Sequence, residues 1–226
     1  MAGTVFFDVD TQIDFVFPAG ALYVPGAARL VPVIAGLNAL AAATGILVVS
    51  TVDAHPENDG EFTEHAAHCI RGTAAQRKPE STLLPARLTL PENTSIIPCL
   101  DGIGQVLIEQ TSVDCFRNRN LVRLLTGLGV TRCVVYGVAA EIAVHHAAMG
   151  LLRFGCEVHL VTDAIAEING TIARRARADF VRDGGHLLGS TAVATRLTEP
   201  PARDPGTPSL LLESTLPLPP KTAKLP

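Results

Sequence analysis

Short apolar runs rich in β-branched residues alternate with amphipathic stretches along most of this chain, and no other feature restricts the fold as much. Thr4-Val-Phe-Phe-Asp8 reads as a strand, and Ala27 to Ala43 has helical spacing that stops at Thr44-Gly45. Gly45 to Val52 is a second strand and Val106-Leu-Ile108 a third, followed by a helix from about Asn120 to Leu128 that closes at Gly129. Cys133 to Tyr136, Val158 to Val161 and Leu187-Leu188 supply further strands. Helices over Ile142 to Phe154 and about Thr171 to Asp183 separate them, with a last helical turn near Ser190 to Leu197. Strands of this kind are buried on both faces. The expected fold class is therefore α/β: a three-layer α/β/α arrangement around a mainly parallel sheet. In such folds the loops beyond the carboxyl ends of the strands carry the chemistry.

The length of 226 residues suits one core with an extension. Composition divides the chain into a domain over 1–198 and a Pro-rich tail over 199–226, whose Leu210 to Leu212 are expected to order against an apolar surface. A net charge of −4 gives no electrostatic footprint for nucleic acid or an anionic membrane, which leaves small molecules as partners. Five cysteines without a C-x-x-C pair, and a start lacking a basic, apolar leader, point to the cytoplasm. Mean hydropathy is +0.30, yet charge, Gly or Pro interrupts every apolar run before it reaches a bilayer span.

Four expected loops carry polar residues: Asp10, then Asp53 and His55, then Gln110, then the segment from Gly137 into the helix at Ile142. Asp53 and His55 are spaced i, i+2 at the end of an apolar run, and His68 follows across a polar loop. Alternate side chains of extended backbone point the same way, so a carboxylate and an imidazole at this spacing can converge on one cation. A mixed oxygen and nitrogen set suits Zn, Fe or Mn, and three protein ligands with open positions is a catalytic pattern. Spacing alone equally allows Asp53 to be a turn former with surface histidines nearby.

Five ordered motifs resemble the isochorismatase-like cysteine hydrolases and, within them, are most similar to nicotinamidases. They are Asp10-Thr-Gln-Ile-Asp-Phe15, Pro18-Ala-Gly-Ala-Leu22, Asp53-Ala-His55, His68-Cys-Ile-Arg-Gly-Thr73 and Gly137-Val-Ala-Ala-Glu-Ile-Ala-Val144. The resemblance implies amide hydrolysis by an Asp, Lys and Cys triad. It assigns the Asp to Asp10, but the Lys position holds Gln110 and the Cys position, at a helix start, holds Ala143. It assigns Asp53, His55 and His68 as metal ligands and Glu61 as a fourth, with Glu64 and His65 as competitors. It gives Phe15 to packing on a pyridine or amide ligand, and Val138-Ala139 to an unusual cis bond beside an oxyanion hole. It also implies a homo-oligomer.

The two departures remove the nucleophile and the charge that supports it, so amide hydrolysis by the thioester route is expected to be absent or strongly impaired. The alternatives are a pseudoenzyme that binds a ligand or serves as an oligomer subunit, and a hydrolase of another small amide or an isochorismate-type substrate. A route through metal-activated water assisted by Asp10 is a further possibility. Cys115 and Cys69 are expected to be inert. His145, His146 and the Arg174-Arg175-x-Arg177 cluster read as structural or solvated, and Asp163 as a turn residue.

Overall fold

The computed structural model describes residues 3–199, so the Pro-rich tail and its leucines lie outside the described residues. Seven strands form one sheet: β1 (Thr4–Val9), β2 (Leu47–Asp53), β3 (Arg87–Leu90), β4 (Gln105–Gln110), β5 (Arg132–Val138), β6 (Glu157–Ala166) and β7 (His186–Leu188). Their order is β3-β4-β2-β1-β5-β6-β7, and every pairing is parallel. The α-helices are α1 (Ile13–Val16), α2 (Val31–Ala43), α3 (Arg119–Gly127), α4 (Ala143–Arg153), α5 (Gly170–Arg182) and α6 (Val193–Thr198). Among the described residues no helix is long and apolar enough to cross a membrane.

Burial on both faces explains why β1 is apolar apart from Thr4 and Asp8. Val5, Phe7 and Val9 enter one core with Leu121 and Leu124 of α3 and Val144 and Leu151 of α4. Phe6 enters a second core on the opposite face with Ile34 and Leu37 of α2 and Val193 and Leu197 of α6. All six residues of β1 and all seven of β5 are buried, as central strands of a doubly covered sheet must be. Side-chain caps start the helices where the sequence turns polar. Asn118 accepts from the Asn120 N–H at 2.8 Å to begin α3, and Asn169 accepts from Thr171 at 3.0 Å and Ile172 at 3.2 Å to begin α5.

Three elements depart from the sequence expectation. β3 is an edge strand in which only Leu90 is buried, so it lacks the apolar run that marks a central strand. α1 is a single turn, too short to show helical periodicity. β6 continues to Ala166, which places Asp163 inside a strand rather than at a turn. Its pairing with the short β7 covers His159 to Val161, leaving Thr162 and Asp163 exposed. The Asp163 carboxylate accepts from the Ser190 N–H at 2.7 Å and hydroxyl at 2.6 Å, fastening the approach to α6.

Candidate active site

The polar residues named above gather at the carboxyl ends of the four central strands, β4, β2, β1 and β5. Thr51 of β2 and Gly137 of β5 both pair with Val9 of β1, and Gln110 of β4 pairs with Asp53 of β2. Asp10, Asp53, Gln110 and the segment entering α4 therefore share one edge of the sheet. Asp10 turns the chain with a positive φ of 47°. Its N–H donates to the Thr51 carbonyl at 3.2 Å, and its Oδ1 accepts from the Thr51 hydroxyl at 2.6 Å. Burial first, and then the charge of Asp53, push the Asp10 carboxyl well above the usual carboxylate range, against the opposing hydroxyl and the Lys78 charge. Lys78 is itself buried, paired with Asp8 at 2.9 Å and hydrogen-bonded to Thr11.

The expected metal ligands converge. Asp53 Oδ2 lies 3.8 Å from Nε2 of both His55 and His68, and the ligand atoms of all three lie within 4.8 Å of one another. The outer ring nitrogens are engaged: His55 Nδ1 meets Asp59 Oδ2 at 3.0 Å, and His68 Nδ1 meets the Ala66 carbonyl at 2.9 Å. With Nδ1 engaged outward, each Nε2 faces Asp53, the orientation that metal-ligating histidines adopt. The Asp53 carboxylate, opposed by burial and aided by Asp59 and Glu61, raises the His55 pKa of the metal-free site to about 9. Positive charge is thus favoured here. The donor set fits a divalent transition ion such as Zn²⁺, Fe²⁺ or Mn²⁺. Glu61 Oε1 lies 4.0 Å from His68 Nε2, at the margin of the cluster, whereas Glu64 and His65 are exposed and outside it.

Residues of the first motif hold these ligands in place. The Gln12 amide donates to the Asp53 carbonyl at 2.8 Å and accepts from the Asp53 N–H at 2.7 Å. Asp14 accepts from the Cys69 N–H at 2.7 Å, beside His68. The His55 N–H donates to the Cys69 carbonyl at 3.1 Å, which joins the two ligand loops directly. Phe15 lies 5.8 Å from the His68 ring, and Phe62 lies 5.6 Å from the rings of both His55 and His68.

The Val138-Ala139 peptide bond is cis, and Ala143 is the first residue of α4, buried against the same core as Cys115. Gln110 is 1 % exposed, and neither Oε1 nor Nε2 of its amide has a hydrogen-bond partner among the described residues. Burial, then the nearby carboxylates, pushes the thiols of Cys69 and Cys115 upward, so neither is poised as a thiolate. His145 is half-buried with a lowered pKa caused first by burial, and His146 is exposed; neither belongs to the ligand cluster. Sequence reasoning missed Asp59, Phe62 and Lys78. The i, i+4 spacing of Asp59 from His55 was the one available signal.

The sequence matches the isochorismatase domain family over residues 4–192. No curated protein sequence matches closely enough to count as a relative. Among solved structures, the pyrazinamidase of Pyrococcus horikoshii in complex with zinc is 27% identical, with a TM-score of 0.68 over 83% of this chain and 99% of that one. An isochorismatase family protein from Desulfovibrio vulgaris is 26% identical, with a TM-score of 0.71 over 88% and 100%. PnC1 from L. infantum in complex with nicotinate is 27% identical, with a TM-score of 0.67 over 84% and 94%. A family match across almost all of the described residues, on the same parallel sheet, establishes that this chain belongs to the isochorismatase family of hydrolases.

Proposed function

We propose that this chain is a nicotinamidase-like, metal-dependent binder of small amide or pyridine ligands that does not hydrolyse amides through cysteine. The observation that carries the reading is Ala143 at the start of α4, entered from the same sheet edge that carries the converged Asp53, His55 and His68. Amides are poor electrophiles, and a thiolate at a helix start is the nucleophile that the resemblance requires at this position. A methyl group cannot attack, and the upward-shifted Cys69 and Cys115 thiols do not replace it.

The binding half of the site is supported by the side chains themselves. Asp53, His55 and His68 would hold the ion, which would supply a positively charged open position for a ring nitrogen. Phe15 and Phe62 stand against the histidine rings and provide apolar faces for a planar ligand. Gln12 and Asp14 keep the ligand loops in register. The zinc and nicotinate seen in the Pyrococcus and L. infantum neighbours agree with this assignment.

Metal analysis and calorimetry test it. The purified chain loaded with Zn²⁺, Fe²⁺ or Mn²⁺ is expected to retain about one ion and to bind nicotinamide without releasing ammonia. His55→Ala should abolish metal retention. Stoichiometric metal in an Asp53→Ala, His55→Ala double variant, or no ligand heat at millimolar nicotinamide, contradicts the reading.

A further inference from the structure

We infer that Lys78 is a positioning residue for the metal site. Its ion pair with Asp8 pins residues 75–78 as a strap along the first motif, and the strap holds Gln12 and Asp14 where they fix the two ligand loops. The inference rests on the metal-binding reading above and adds to it a residue that is not itself a ligand.

Lys78 and Asp8 are buried together, their side chains 1 % and 0 % exposed, with Nζ 2.9 Å from Oδ2. Asp8 stands two positions beyond Phe6 on β1 and therefore faces the α2 layer. Its carboxylate also accepts from the Thr11 hydroxyl at 2.7 Å, from Ser50 at 3.3 Å and from Asn38 of α2 at 3.4 Å. Lys78 donates a second bond to the same Thr11 hydroxyl. The ammonium of a loop residue is thereby fixed to the end of a central strand. Desolvation offsets much of the attraction in a buried pair, so its value lies in where it holds the chain rather than in net stability.

What it holds is the strap. The Ile13 N–H donates to the Arg77 carbonyl at 2.8 Å, the Asp14 N–H to the Ala75 carbonyl at 3.1 Å, and the Gln12 amide to the Gln76 carbonyl at 2.7 Å. Residues 75–78 belong to no helix or strand, so bonds of this kind set their place. Gln12 in turn bonds the Asp53 backbone in both directions, and Asp14 accepts from the Cys69 N–H beside His68. One path therefore runs from Lys78 through the strap and the first motif to each ligand loop. Ligands already held in place bind an ion more tightly than ligands that must be ordered on binding.

Zinc titration of the full chain against a competing chelator, with amide hydrogen exchange on the metal-free protein, tests the assignment. The Asp8→Asn, Lys78→Met double variant removes both buried charges, whereas Thr11→Val removes the shared hydroxyl and keeps the pair. Each should fold, weaken zinc by about tenfold or more, and speed exchange at the Ile13 and Asp14 amides relative to those of β1 and β5. Tyr136→Phe is the control, because it removes a hydrogen bond to Asn38 on the α2 side of the same polar network. It should lower Tm and leave zinc affinity unchanged. Parent-like zinc affinity in either folded variant overturns the role of Lys78. An equal loss in Tyr136→Phe, or exchange that speeds throughout the chain rather than at Ile13 and Asp14, overturns it as well. A parent chain that binds no zinc overturns the metal reading and this inference with it.

Discussion

Asp10 has a carboxyl buried at a strand end and shifted upward mainly by that burial. Its folded-state pKa exceeds the unfolded value, so its contribution to stability is fully present below about pH 4 and is lost as pH rises through the folded pKa. Asn at this position cannot ionise. In metal-free protein, Asp10→Asn should match the parent near pH 4 and become progressively more stable than it toward neutral pH, as read by urea unfolding; parallel curves would refute this. The thiols give a second check. Cys99 is exposed while Cys69, Cys115, Cys133 and Cys156 are buried, so the native chain should react quickly at Cys99 alone and at all five cysteines once denatured. The convergence of Asp53, His55 and His68 was legible because strand periodicity and loop chemistry are local. Asp59, Phe62 and Lys78 were not, since their roles depend on how a 3-10 turn and distant loops fold back over the site.

Two glycines separate close approach from free space at the level of elements. Gly137 lies in β5 with φ at 130°, and a Cβ there would sit 2.1 Å from the Val9 carbonyl oxygen of β1. Gly137→Ala should cost about 3 kcal/mol or more, because the two central strands must separate where the site is built. Gly36 is exposed within α2, and a Cβ there meets nothing within 4 Å. Gly36→Ala should instead stabilise by about 0.5–1 kcal/mol through helix propensity. Denaturant midpoints decide both, and equal effects would contradict the packing described. Central strands and long helices were readable because burial on two faces writes an unbroken apolar run. The edge strand β3, with one buried residue, and β6 past its exposed Thr162 and Asp163 carry no such mark.

On the scale of the whole molecule, the order β4-β2-β1-β5 assembles the site from loops far apart in sequence. Periodicity gave the elements and the parallel class, but strand order is set by non-local packing that no single segment encodes. The motifs supplied the missing link by resemblance, and with it Gln110 and Ala143, the two departures on which the proposed loss of cutting rests. Loss of a covalent nucleophile lowers turnover by about a million-fold in a well-characterised hydrolase, and groups acting as a unit recover together. Ala143→Cys alone restores a thiol at the start of α4 with no supporting charge and should remain weak, whereas adding Gln110→Lys supplies that charge. Ammonia release from nicotinamide by the zinc-loaded chain tests this most directly. The parent should release none above the buffer blank, and the Ala143→Cys, Gln110→Lys variant should release more than the two single variants combined. Release by the parent at a rate matching or exceeding that of the double variant would contradict the account.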